Sequence, residues 1–351
     1  MDLAALAYNI IHNVIKIKQK QIINLSAEIH NGYDLDNPLI EIPLLEEMAL
    51  EIRKAGGFAV LDIASENLRK RVFTEMNSNN LKLPAHYYEK WVSLADVFID
   101  FGWLSNPYFT HDIPSYYLSN YNKSAKELWD QIQIQMKKVV LMGFPTEALA
   151  KFYNLNYSVL REKYFAAINI EYYFLKKHIV LVDEKLKKSN EWNLITEDRN
   201  LAFTFLQQNS MIYNGDFLNR CYIILPTGKI EKQIVHLTLD GIFYAESVYL
   251  DNQYYTDIQI IFEKGKVISV DFLNRQNNSN FLHSLLFNPI QEAYLCLGMN
   301  SALQEPIRYS LFDECVLKNC TIKLVINNKL ISLANSKAKL YEHDQDILSE
   351  V

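Results

Sequence analysis

The apolar residues of this chain keep one rhythm over its first part and another over its last, and that change limits the folds open to it. From residue 21 to 144, short apolar runs read as strands: QIINLSAEI at 21–29, FAVLDIA at 58–64, DVFIDFG at 96–102 and KVVLMGF at 138–144. Segments with helical spacing lie between them. One is LLEEMALEIRKA at 44–55, which Gly56-Gly57 stops as a C-terminal cap would. Another is ENLRKRVFTEM, which Ser65 is placed to cap. Such alternation predicts a mostly parallel sheet covered on both faces, with the strand at 58–64 buried. Residues 146–188 read as helical: TEALAKFY, then a long segment from Tyr157 to about Lys188. After Trp192 the period becomes two. Tyr254, Thr256, Ile258, Ile260 and Phe262 alternate with polar neighbours, Lys264-Gly265 turns the chain, and Ile268, Val270 and Phe272 alternate back. The expected organisation is an α/β domain over 1–150 and an α+β domain over 151–351.

Composition narrows the function classes. With 351 residues and 22 Tyr and 18 Phe, the chain is able to bury a sizeable core and is not a disordered polymer. A net charge of −6 without a dense Lys/Arg run leaves no electrostatic footprint for nucleic acid. No apolar run reaches the ~18 residues of a membrane span. The N-terminal MDLAALAYNIIHNVIKIKQK is expected to form an amphipathic helix, with Leu3, Leu6, Ala7, Ile10, Val14 and Ile17 on one stripe, and not a signal peptide. Cys221, Cys296, Cys315 and Cys320 form no CxxC pair, which suits a reduced, cytoplasmic protein. No GxGxxG is present to hold a dinucleotide.

Five segments, in order, resemble the aminopeptidase T and aminopeptidase S type metallo-aminopeptidases. GFPTEALAKFYNLNYSVLREKYFAA (143–167) resembles the family's Pro-Thr segment and following helix. LPTGKI (225–230) resembles its Pro-x-Gly-Glu turn. FYAESVYLDNQYYTDIQIIFEKGKVISV (243–270) resembles the next sheet, and LCLGMN (295–300) a Gly-Glu-x-x-x-Gly-x-Asn segment. LFDECVLKNCTIKLVIN (311–327) resembles Asp-Glu followed by Thr-x-His. The resemblance implies an aminopeptidase T-like two-domain fold, a homodimer, and a two-metal site in the C-terminal domain. Such a site needs carboxylates and imidazoles that neutralise two cations and hold a water between them.

Matched position by position, the implied ligands are missing. The first glutamate falls on Lys229 and the second on Tyr294. The first histidine falls on Lys323, with two residues inserted after Asp313-Glu314, and a tyrosine further on falls on Leu330. The last motif, His-x-Asp, finds only Asp344-Gln345-Asp346, with Asp344 in the histidine's place. A charged ammonium group offers no lone pair to a metal and is repelled by one. The expectation is a degenerate site, a pseudoenzyme without cofactor, with Lys229, Tyr294, Lys323 and Asp346 as ligand-binding candidates at the former metal positions.

Each of these residues also has a plainer reading. Lys229 reads either as a solvated turn residue or as a replacement for the metals' charge, paired with remaining acids such as Asp346 or with an anionic ligand. Asp313 and Glu314 read as acids that cap or buttress a loop; with Glu292 they are also the weak alternatives for a metal. His236 reads as a sheet histidine and His283 as a packing one. His111-Asp112 needs another segment beside it to act as an acid–base pair. The function expected is a non-peptidase that binds a peptide, a small acid or a protein partner. One alternative is an active aminopeptidase using a divalent metal such as zinc on relocated ligands, drawn from Glu292, Asp313, Glu314, His283, Asp346 and His343. The other is a metal-independent enzyme with Lys229 or Lys323 as nucleophile or base.

Overall fold

The computed structural model describes residues 2–29, 41–77, 80, 85–101, 113–143, 145–217, 220–250, 253–273, 280–342 and 345–349. These residues divide into two compact units, one of 1–169 with 215–226, the other of 170–214 with 227–351.

In the first unit, α1 (Leu3–Tyr8) is capped by Asp2 and runs into a π-helical turn, Asn9–Ile15, so the expected single amphipathic helix changes hydrogen-bond pattern partway. Then come β1 (Ile22–Ile29), α2 (Glu41–Lys54), β2 (Phe58–Ser65), α3 (Glu66–Glu75), α4 (Ala85–Ser93), β3 (Val97–Asp100), α5 (Ser115–Ile134), β4 (Lys138–Met142), α6 (Glu147–Phe152) and α7 (Tyr157–Ile168). The predicted cap forms: Ser65 Oγ accepts from Leu68 N at 3.0 Å. Thr146 Oγ1 caps α6 in the same way, accepting from Leu149 N at 3.1 Å. Val92, Phe98, Ile132, Val139 and Leu141 join α4, α5, β3 and β4 in one apolar layer. The sheet, in order β2-β1-β3-β4 and then a later strand, β8 (Tyr222–Leu225), is parallel throughout. One expectation fails here. β2 is not a buried strand: among the described residues it is the sheet edge, paired only to β1, and Phe58, Val60, Leu61 and Ile63 are exposed.

The second unit opens with α8 (Tyr172–Leu186), so the long helix expected from Tyr157 is broken at 169–171. It continues with β5 (Glu191–Thr196), β6 (Arg199–Thr204) and β7 (Met211–Tyr213). β8 (Tyr222–Leu225) then joins the first unit's sheet, and β9 (Lys229–Ile234) returns to the second. The two strands around Pro226-Thr227-Gly228 therefore belong to different sheets. There follow β10 (Asp240–Leu250), β11 (Gln253–Glu263), β12 (Lys266–Phe272), α9 (Asn280–Leu286), β13 (Glu292–Gly298), α10 (Ser310–Asp313), β14 (Cys320–Ile326), β15 (Lys329–Asn335), β16 (Lys339–Glu342) and β17 (Gln345–Asp346). The sheet runs β17-β16-β5-β6-β10-β15-β14-β13-β9-β7, with β11 on β10 and β12 on β11; its ladders are antiparallel. The predicted β11–β12 hairpin forms, with Lys264 and Gly265 both at positive φ. No helix among the described residues is long and apolar enough to cross a membrane.

Two glycines hold the backbone where β9 begins and β13 ends. Gly228 sits at φ +115°, and a Cβ there would lie 2.9 Å from Asn300 Cβ. Asn300 in turn donates from Nδ2 to the Thr227 carbonyl at 2.7 Å. At Gly298 a Cβ would come within 1.8 Å of the Val316 carbonyl oxygen, a backbone atom that cannot swing aside. Gly298→Ala is therefore expected to cost ~1–3 kcal/mol as an overpacking substitution, read as a lower denaturant midpoint at unchanged slope.

Candidate functional site

Strand parity builds the site. Residues directly opposite each other in an antiparallel ladder share a face. One row pairs Gln233, Tyr294, Lys323, Ser332 and Tyr249 across β9, β13, β14, β15 and β10. The next row pairs Glu231, Cys296, Thr321, Ala334 and Ser247 on the same face, and Lys229 opposes Gly298 one step further on. α10 and the residue after it bring Asp313 and Glu314 to this face.

Four charges meet there. Lys229 Nζ lies 2.5 Å from Glu314 Oε2 and 3.1 Å from Glu231 Oε1, and Lys323 Nζ lies 2.8 Å from Glu314 Oε2 and 2.6 Å from Glu231 Oε1. The four contacts close a ring of alternating sign. Each residue is only 6–9 % exposed. The second carboxylate oxygens are also engaged: Tyr213 donates to Glu231 Oε2 at 3.4 Å and Ser332 to Glu314 Oε1 at 3.5 Å. Lys229 Nζ sits 4.8 Å from the centre of the Tyr213 ring. The Cys296 thiol faces the Glu314 carbonyl at 3.9 Å.

Burial is the largest single influence on each group in this cluster, but for the charged groups the paired charges together outweigh it and set the direction. Burial pushes the Glu231 carboxyl up, but the Lys229 and Lys323 ammonium groups override it and bring it down to about 2. Glu314 moves down for the same reasons. Burial favours neutral lysines, yet Glu314 and Glu231 hold the Lys229 and Lys323 groups above their ordinary range. All four groups are thus charged at neutral pH and sum to zero. Burial holds the Cys296 thiol well above its ordinary range, although the Lys323 and Lys229 charges pull it down, so it stays a thiol.

The sequence candidates separate. Lys229 and Lys323 meet; Lys229 is buried at the head of β9 and is not a solvated turn residue. Their acids are Glu231 and Glu314, not Asp346, which accepts from Leu348 N at 3.0 Å within its own turn. Tyr294 shares the face but donates to the exposed Glu292 at 2.6 Å; burial first and that carboxylate second push its phenol up to about 12. Asp313 buttresses the preceding loop: it accepts from Ile307 N at 2.6 Å, Arg308 N at 2.9 Å and the Tyr249 hydroxyl. Burial pushes its carboxyl up to about 7 against those donors. His283 is exposed beside Phe287, and His236 sits in a half-buried 3-10 turn beyond the end of β9 rather than in a strand. His111, Asp112, His343 and Asp344 lie outside the described residues. Glu231 was not among the sequence candidates, although the signal was there: two residues past Lys229 on a strand, it must share that side chain's face.

A two-metal centre at the matched positions does not fit this donor set. Two of the positions are ammonium groups without lone pairs, one is a phenol and Leu330 is an exposed leucine. The carboxylates within reach are already neutralised.

No protein-family model matches the sequence, and no curated protein does. Among solved structures the chain is similar to wild-type AmpT from Thermus thermophilus, with a TM-score of 0.64 and 14 % identity over 96 % of this chain and 94 % of that one. The chain has an aminopeptidase-like fold.

The charge ring gives stability its pH profile. Glu231 binds its proton more weakly folded, at about 2, than at its ordinary 4.5, so the unfolded chain takes up more protons in that interval. The stability this group contributes is complete above 4.5 and is lost as pH falls toward 2. The raised lysines contribute stability that is lost only as pH climbs above their ordinary 10.5. Unfolding free energy measured against pH is expected to show this acid limb, and Glu231→Gln is expected to flatten it and lower the plateau.

Proposed function

We propose that this chain is a metal-independent, non-peptidase member of the aminopeptidase T-like fold, in which the buried polar face that would carry a two-metal site has become a self-neutralised structural centre. The observation that carries this reading is the closed ring of Lys229, Glu231, Lys323 and Glu314. Metal-assisted hydrolysis needs a cation that lowers the pKa of a bound water and an open position for substrate. This ring fills the space with tethered ammonium groups and leaves both carboxylates saturated. It equally disfavours a lysine nucleophile, which has to be neutral to attack, because both amines are held in their charged form.

On this reading the chain acts by binding a peptide, a small acid or a protein partner, a second copy of itself included. Its fold neighbour AmpT is an aminopeptidase, and this chain keeps that scaffold. Exposed Tyr173, Phe174, Val180 and Leu181 on α8 supply apolar area of the kind that interfaces bury.

Elemental analysis of protein purified without chelator is expected to find no stoichiometric zinc, cobalt or manganese. A panel of short peptides with free N-termini is expected to stay intact when those metals are added. Chelator-sensitive release of N-terminal residues, carried by bound metal, would overturn the reading.

A further inference from the structure

One ligand atom from each of Glu231, Cys296 and Glu314 lies within 4.8 Å of the others, and all three residues are buried. Two carboxylates and a thiol are a zinc-type donor set. Two ligands on one zinc at about 2.0–2.3 Å are at most ~4.5 Å apart, so only a small closing movement separates these atoms from a common ion. A second observation points the same way. Thr321 is 1 % exposed, its hydroxyl makes no hydrogen bond among the described residues, and it stands opposite Cys296 in the Glu231 row. None of these residues occupies a position at which the family resemblance implies a ligand.

We infer that Glu231, Cys296 and Glu314, with Thr321 beside them, form a latent single-cation cradle that the chain fills with its own Lys229 and Lys323 ammonium groups. The ammoniums stand where a divalent ion of equal total charge would satisfy the same two carboxylates. Two single charges on flexible tethers do the neutralising, so no metal has to be acquired. The inference rests on the metal-independent reading of the cluster. It fails separately from it: metal and peptidase activity in the parent chain would sink that reading, whereas the variants below test the cradle.

The test uses the full chain as parent, as Lys229→Met/Lys323→Met, and as that double variant carrying Cys296→Ser. Zinc alone and cadmium alone are the probes. In the double variant, zinc is expected to bind one per chain and to raise the thermal midpoint with increasing concentration. Cadmium is expected to give a thiolate-to-metal charge-transfer band. Cys296→Ser is expected to abolish the band and weaken zinc at least tenfold, and the parent is expected to give neither signal. If the double variant folds only when refolded with zinc, that too supports the cradle. Lys323→Met alone keeps one ammonium for two carboxylates, guards against a double variant that does not fold, and is expected to show the same band at lower affinity. A folded Lys323→Met or double variant without zinc binding, binding indifferent to Cys296→Ser, or the same band in the parent would overturn the inference.

Discussion

Two carboxylates and two ammonium groups, each pair holding the other in a space nearly closed to water, are the constraint on which this molecule turns. None of the four tolerates burial alone, since the effective penalty for an unpaired ion is several kcal/mol. A contact between opposite charges near 4 Å returns about 4 kcal/mol at an effective dielectric of ~20. Four such contacts, less the repulsion across each diagonal, come close to cancelling four desolvation costs. The ring therefore acts less as a source of net stability than as a fixer of arrangement. It dictates which faces of β9 and β14 point inward and where the residue after α10 must sit.

That role explains the scaffolding around it. Gly228 and Gly298 are demanded by close backbone approach where β9 begins and β13 ends. Asp313 spends its carboxylate on the 307–308 backbone amides and the Tyr249 hydroxyl, which sets the backbone from which Glu314 reaches the lysines. The same sheet face carries on through Ser332 and Tyr249, so its buried polar groups extend from β9 to β10.

Much of the architecture could be read from the residues. The switch from helix–strand alternation to period two anticipated a parallel α/β unit and an antiparallel one, and the Ser65 cap formed as its chemistry suggested. What the sequence hid was tertiary. β2 has the composition of a buried strand but lies at an edge, a fact set by strand order. The break at 169–171 falls inside helical periodicity. β8 and β9 flank one short turn yet enter different sheets. At the site, ligand matching identified Lys229 and Lys323, and strand parity would have added Glu231. Glu314, however, comes from a different loop, and no spacing rule connects it to residue 229. Asp346, one partner acid the sequence offers, accepts instead from Leu348 N; sequence order cannot say which carboxylate a fold delivers.

The central claim is that lysine ammonium groups, and not metal ions, neutralise Glu231 and Glu314. Anomalous diffraction at the zinc edge from crystals soaked in zinc tests it most directly. The account predicts intact density for both Nζ atoms on both carboxylates and no anomalous peak within coordination distance of them. A strong peak there, with either lysine swung out of the ring, would contradict it.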